Sequence, residues 1–193
     1  FYPAEFLSAN MTSVIDKTDD VVKLINETRA MGIDVMPPDV NSSFAEFRTT
    51  KSGQIAYGLS AVKNVGTKAA QLIAKQREIH GAYKSIFDLC KFEGNVNRKV
   101  LESLVQVGAC DDLEGHRAQQ FEVIDMAIKY GQKYLEEKNS AQASLFGGGE
   151  GVDDSVPIPV LPSVAEWFPE DCLTREKDLI GFYLSGDPLD NFY

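Results

Sequence analysis

The chain has 193 residues, a length that suits one or two domains. Hydrophobic residues make up 44% and charged residues 25%, as in an ordinary globular protein with a buried core. No run nears the roughly 18 apolar residues of a membrane span. The 19 basic and 29 acidic side chains give a net charge of −10, which taken whole argues against a nucleic-acid binder.

That argument fails once the charge is divided along the chain. Residues 1–57 carry −3 and residues 100–193 carry −12. Residues 58–99 carry +5, from Lys63, Lys68, Lys75, Arg77, Lys84, Lys91, Arg98 and Lys99 against Glu78, Asp88 and Glu93. With a Debye length of about 8 Å at physiological salt, such a basic island acts locally. A solvated helical face would give the same composition. Three widely spaced cysteines, Cys90, Cys110 and Cys172, form no CxxC, and only His80 and His116 could join them. A zinc site or disulfide framework is not expected, and a reducing cytoplasm fits. The chain opens at Phe1-Tyr2-Pro3 without a signal-peptide pattern and stops within Leu184-Ser185-Gly186-Asp187-Pro188. It is expected to be a piece of a longer chain.

Taken in order, Pro3 with Phe6, Leu7, Met11 and Val14 predicts a first helix. Thr18-Asp19-Asp20 reads as a cap and acidic first turn leading into Val21, Leu24 and Ile25, with Gly32 as the stop. Ile33 to Met36 is a short apolar run ended by Pro37-Pro38. Residues 47–50 and 54–57 flank Lys51-Ser52-Gly53 and predict a small β-hairpin. Helices are expected at 59–63, 67–78, 85–92, 97–107 and 117–135, and a last one at 169–183. Residues 138–163 hold Gly147-Gly148-Gly149 and three prolines without helical period, and read as a linker or extended arm. The fold class is mainly α with a minor β-hairpin.

The most informative stretch is Leu59 to Ala70, where two predicted helices meet through Asn64-Val65-Gly66. Asn and Gly both tolerate positive φ, and Val65 can tuck between the helices. Such a bend leaves the first amides of the following helix open to an anionic phosphate. Lys63 and Lys68 flank the bend and Thr67 adds a donor. A grip of this kind holds nucleic-acid backbone and carries no base information. An ordinary helical hairpin with a turning glycine is the alternative. A second candidate, Leu104 to Ala109, lies among Asp111, Asp112 and Glu114 and reads as a structural partner.

Gln142-Ala143-Ser144-Leu145-Phe146 precedes the triple glycine. A peptide of this shape can bind extended, with Leu145 and Phe146 filling an apolar pocket and the Gln142 amide fixing register. The alternative is that the pair docks on its own domain. No catalytic constellation is visible: there is no HExxH, GxSxG or Walker pattern. The pairs Asp19-Asp20, Asp111-Asp112 and Asp153-Asp154 diverge at i and i+1, which makes them poor two-metal sites.

Four blocks together resemble one family. Val35-Met36-Pro37-Pro38-Asp39-Val40-Asn41-Ser42, Gly58 to Gly66, Asn97 to Leu104 and Leu179-Ile180-Gly181-Phe182-Tyr183-Leu184-Ser185-Gly186-Asp187-Pro188-Leu189-Asp190 are similar, in this order, to the bacterial DNA polymerase III alpha subunits, the C-family replicative polymerases. The resemblance implies that residues 1–57 end a helical fingers domain and that 58–137 form a tandem helix-hairpin-helix module binding double-stranded DNA through Lys63, Asn64, Val65, Gly66, Thr67 and Lys68. It implies that 138–168 form an arm whose residues 142–146 bind the sliding clamp, the beta subunit. Residues 169–193 then lead into an oligonucleotide-binding domain. Other replisome subunits are implied partners. The family's catalytic carboxylates and its Mg²⁺ belong to a palm domain outside this chain, so no catalytic residue, metal or cofactor is expected here. Asn64 departs from the glycine common at that place. A protein-interaction scaffold, with purely structural hairpins, is the rival reading.

Overall fold

The computed structural model describes residues 2–94, 96–143 and 156–184, with the side chains of 141–143 excepted. Its elements are α1 (Pro3–Ser13), α2 (Thr18–Ala30), β1 (Val35–Met36), β2 (Arg48–Thr49), β3 (Ile55–Ala56), α3 (Thr67–His80), α4 (Arg98–Gln106), α5 (Arg117–Glu122), α6 (Ile124–Ala143) and α7 (Pro169–Ile180). Single 3₁₀ turns stand at Leu59–Ala61 and Asp88–Cys90. The chain is therefore mainly helical, as the periodicity predicts.

The helices form because each offers one face to a shared interior. Leu7 and Met11 of α1, Val21 and Ile25 of α2, and Ala70 and Ile73 of α3 are all buried. Leu101, Leu104 and Val105 of α4 and Ile124, Ala127 and Tyr130 of α6 complete the spacing of three and four. Residues from α1 to α7 join one hydrophobic cluster. Val40, Phe47, Ile55 and Tyr57 bring the small sheet into it.

The sheet has the order β1-β3-β2. The hairpin expected around Lys51-Ser52-Gly53 is present, with Arg48 opposite Ala56 and Thr49 opposite Ile55. The run ending at Met36 supplies a third strand, parallel to β3. Between the sheet and α3 the loop 39–44 is pinned by Arg77, whose Nη1 donates to the carbonyls of Val40 (2.8 Å) and Ser43 (2.7 Å).

Several elements differ from the sequence reading. The helix expected over 117–135 is two helices that break at Val123, and the second runs on to Ala143. The stretches 59–63 and 85–92 contain only single 3₁₀ turns. Thr18 is the first helical residue of α2 and makes no capping bond. Residues 156–168 have no regular structure, yet they lie against the body. Val156 is buried, Leu161 and Trp167 pack on the core, and the Pro162 carbonyl accepts from Gln119 Nε2 at 2.9 Å.

Candidate nucleic-acid interface

The bend between Leu59 and Thr67 is built on two buried valines. Val62 is extended, Val65 turns back so that its amide donates to the Val62 carbonyl at 3.0 Å, and both side chains are buried. Lys63, Asn64, Gly66, Thr67 and Lys68 all face solvent. The bend therefore presents polar atoms outward on an apolar footing.

Positive φ falls on Asn64, at 70°, and not on Gly66. Gly66 has φ −69 and ψ 156, a conformation open to any residue, and a Cβ placed there would meet nothing within 4 Å. Its value lies in what it omits. As the N-cap of α3 it has no side chain to accept from the helix amides. Ala70 is the first amide of the helix to find a carbonyl, that of Gly66 at 3.0 Å. The N–H groups of Gly66, Thr67, Lys68 and Ala69 have no partner among the described residues. Amides without acceptors at the positive end of a fourteen-residue helix suit an anion.

Not every predicted residue offers a contact. The Val65 side chain is an anchor beneath the bend, and its amide is already used. The amide of Ala69, a buried residue, also lacks a partner among the described residues, although nothing about an alanine side chain announces it. The basic island divides as well. Lys63, Lys68, Lys75, Lys84 and Lys99 are exposed and make no ion pair among the described residues. Arg77 is committed to loop carbonyls, Lys91 to Asp88 at 3.1 Å, and Arg98 to Glu102 and Asp125.

The second hairpin is closed by its own chain. α4 ends in a Schellman turn, with Gly108 at φ 80, its amide bonded to the Val105 carbonyl and that of Ala109 to Leu104. At the start of α5, His116 accepts from the Gln119 amide and the Gln119 side chain accepts from the His116 amide, a capping box. Arg117, which leads α5, is mostly buried and bonded to Asp111 (2.7 Å) and to the fully buried Glu176 (2.8 Å) of α7. Burial works against its charge, but the bonds to the two carboxylates outweigh this and hold its pKa above the ordinary arginine value. Acidic neighbours, a filled cap and a neutralised arginine leave no anion site there.

Gln142 and Ala143 lie on the last turn of α6, but their side chains, together with all of Ser144, Leu145 and Phe146, fall outside the described residues. Among the described residues no cluster of His, Cys, Asp or Glu side chains could hold a metal ion, and no helix is long and apolar enough to cross a membrane.

Comparison with known proteins agrees with this geometry. Residues 32–120 match a family model described as a helix-hairpin-helix motif. The chain is 38% identical over 193 residues to the DNA polymerase III subunit alpha of Borreliella burgdorferi, covering 99% of this chain and 17% of that protein. It is 35% identical to the proteins of the same name from Vibrio cholerae and from Escherichia coli K12, again over 99% of this chain and 17% of each. The chain thus spans about one sixth of the length of these relatives, and the resemblance carried by its four sequence blocks holds nearly end to end.

Proposed function

We propose that this chain is a DNA-holding, non-catalytic segment of a DNA polymerase III alpha-type replicative polymerase. The observation that carries the proposal is the bare start of α3: four amides that have no partner among the described residues, flanked by two exposed lysines that make no ion pair among them. Phosphate oxygens of duplex DNA would accept from the Gly66 to Ala69 amides, with Thr67 Oγ1 as a further donor. Lys63 and Lys68 would neutralise the same or adjacent phosphates. Such contacts hold DNA in place and are indifferent to sequence. Nucleotidyl transfer and its Mg²⁺ would belong to other parts of the full polymerase. Residues 142–146 would tether that polymerase to its sliding clamp.

The test is fluorescence anisotropy of a labelled duplex with the 193-residue chain between 50 and 200 mM salt. Affinity should fall steeply with salt and vary little with sequence. Lys63→Glu with Lys68→Glu should weaken binding by about tenfold or more and flatten the logarithmic salt slope by roughly two. An unchanged affinity would favour the scaffold reading, with the hairpins only supporting protein contacts. For the peptide, Leu145→Ala with Phe146→Ala should abolish capture of the cognate clamp and leave duplex affinity intact.

A further inference from the structure

Asn64 holds a left-handed conformation, which is costly for most residues with a Cβ and less so for Asn. Two contacts from distant parts of the chain meet it and its neighbour. The Asn64 Nδ2 donates to Ser103 Oγ at 3.1 Å, across 39 positions of sequence. Ser103 is buried on α4, the helix that opens the second hairpin. From the other side, the Lys63 amide donates to the carbonyl of Leu179, in the last turn of α7, at 3.0 Å. The bend has few bonds of its own; the Val65–Val62 bond closes it, and these two contacts aim it.

We infer that Ser103 is a positioning residue for the phosphate grip: it holds Asn64 in the left-handed conformation and so fixes how the chain enters α3 at the Gly66 to Ala69 amides. The second hairpin thereby acts on DNA binding through the first. Asn has a polar arm that glycine lacks, and the arm reaches α4. A glycine would adopt the same φ unaided, and Asn tolerates it better than other residues with a Cβ; the bond to Ser103 adds a tertiary hold on that conformation. This inference rests on reading the bend as the phosphate grip.

The experiment measures duplex affinity against salt for Ser103→Ala, Asn64→Ala, Asn64→Gly and the double variant Asn64→Gly with Ser103→Ala, beside Lys63→Glu with Lys68→Glu. Thermal melts accompany each. Ser103→Ala should weaken binding about fivefold, the worth of one such hydrogen bond, with the salt slope unchanged because both lysines remain. Asn64→Ala, at an exposed position that does not threaten the fold, should weaken it at least as much. Asn64→Gly should recover most of the affinity that Asn64→Ala loses and should be indifferent to Ser103→Ala. Should Ser103→Ala and Asn64→Ala lower only the melting temperature while the lysine variant loses binding, Ser103 is a plain brace and the inference is overturned. It is equally overturned if glycine at 64 fails to restore the loss. If the lysine variant binds like the unaltered chain, the grip itself is refuted, and the positioning role with it.

Discussion

At the scale of single residues, two glycines show how differently one side chain atom can matter. A Cβ at Gly66 would enter open space, whereas one at Gly131 would stand 2.0 Å from the Cys90 carbonyl oxygen and 2.6 Å from its carbon. Gly131 lies within α6, where alanine would ordinarily gain about 1 kcal/mol. Here it would force a backbone apart, so Gly131→Ala should destabilise the chain by about 2 kcal/mol, read from chemical denaturation. A stabilised variant would mean that α6 does not lie on Cys90. The sequence offers no hint of this contact, because a glycine inside a helical pattern looks the same whether it is crowded or free. Asn64 is the opposite case. Its residue type and place between two helices announce a turn, while its partner Ser103 lies beyond local reading.

At the scale of elements, local signals serve well and long-range ones fail. α2 and α4 follow from apolar spacing and stop signals alone: Val21 with Ile25, and Val100 with Leu101, Leu104 and Val105 ahead of Gly108. The break at Val123 is hidden because Phe121, Ile124 and Ile128 continue one helical stripe across it and no Gly or Pro marks it. The parallel strand at Val35 needs a partner twenty residues on, which no turn chemistry specifies. Residues 156–168 read as linker since their prolines abolish any period, yet an aperiodic segment still buries Val156 and packs Trp167 against Phe121 at 5.4 Å between rings. The bond from Arg117 to the buried Glu176 ties α5 to α7 and was equally illegible. Glu176→Gln leaves the mostly buried guanidinium short of a counter-charge and should cost about 3 kcal/mol in a thermal or urea melt. A loss below half of that would show that Asp111 alone suffices for Arg117.

At the scale of the whole molecule, one continuous core makes the Cys90 and Cys110 thiols reporters of global unfolding. Burial pushes the Cys90 thiol up to about 12 and the Cys110 thiol higher still. Burial raises the Tyr57 phenol as well. These groups stay neutral in the folded chain and ionise more readily once it unfolds. Their contribution to stability is therefore complete below the unfolded thiol value of about 8.5 and declines as pH rises towards 12. Melting temperature should fall steadily from pH 8.5 to 10.5, with Cys90 and Cys110 unreactive towards a thiol reagent at pH 8 until the chain unfolds. A flat profile, or rapid labelling of Cys90 and Cys110 in the folded chain, would contradict the burial described. The charge of the molecule is uneven in the same integrated way: the arginines of the basic segment and Lys91 are engaged by other groups of the chain, and its other lysines are left to solvent.

The uncapped start of α3 implies a compromise that selection for stability alone would remove. Where α5 spends His116 and Gln119 on its own amides, α3 begins at a glycine. Gly66→Asp would complete the helix from within, its carboxylate occupying the seat of the phosphate. Such a chain should melt higher, by up to about 1 kcal/mol, and lose its hold on DNA. Tolerance of a weaker helix would then be the signature of a seat kept vacant for a guest.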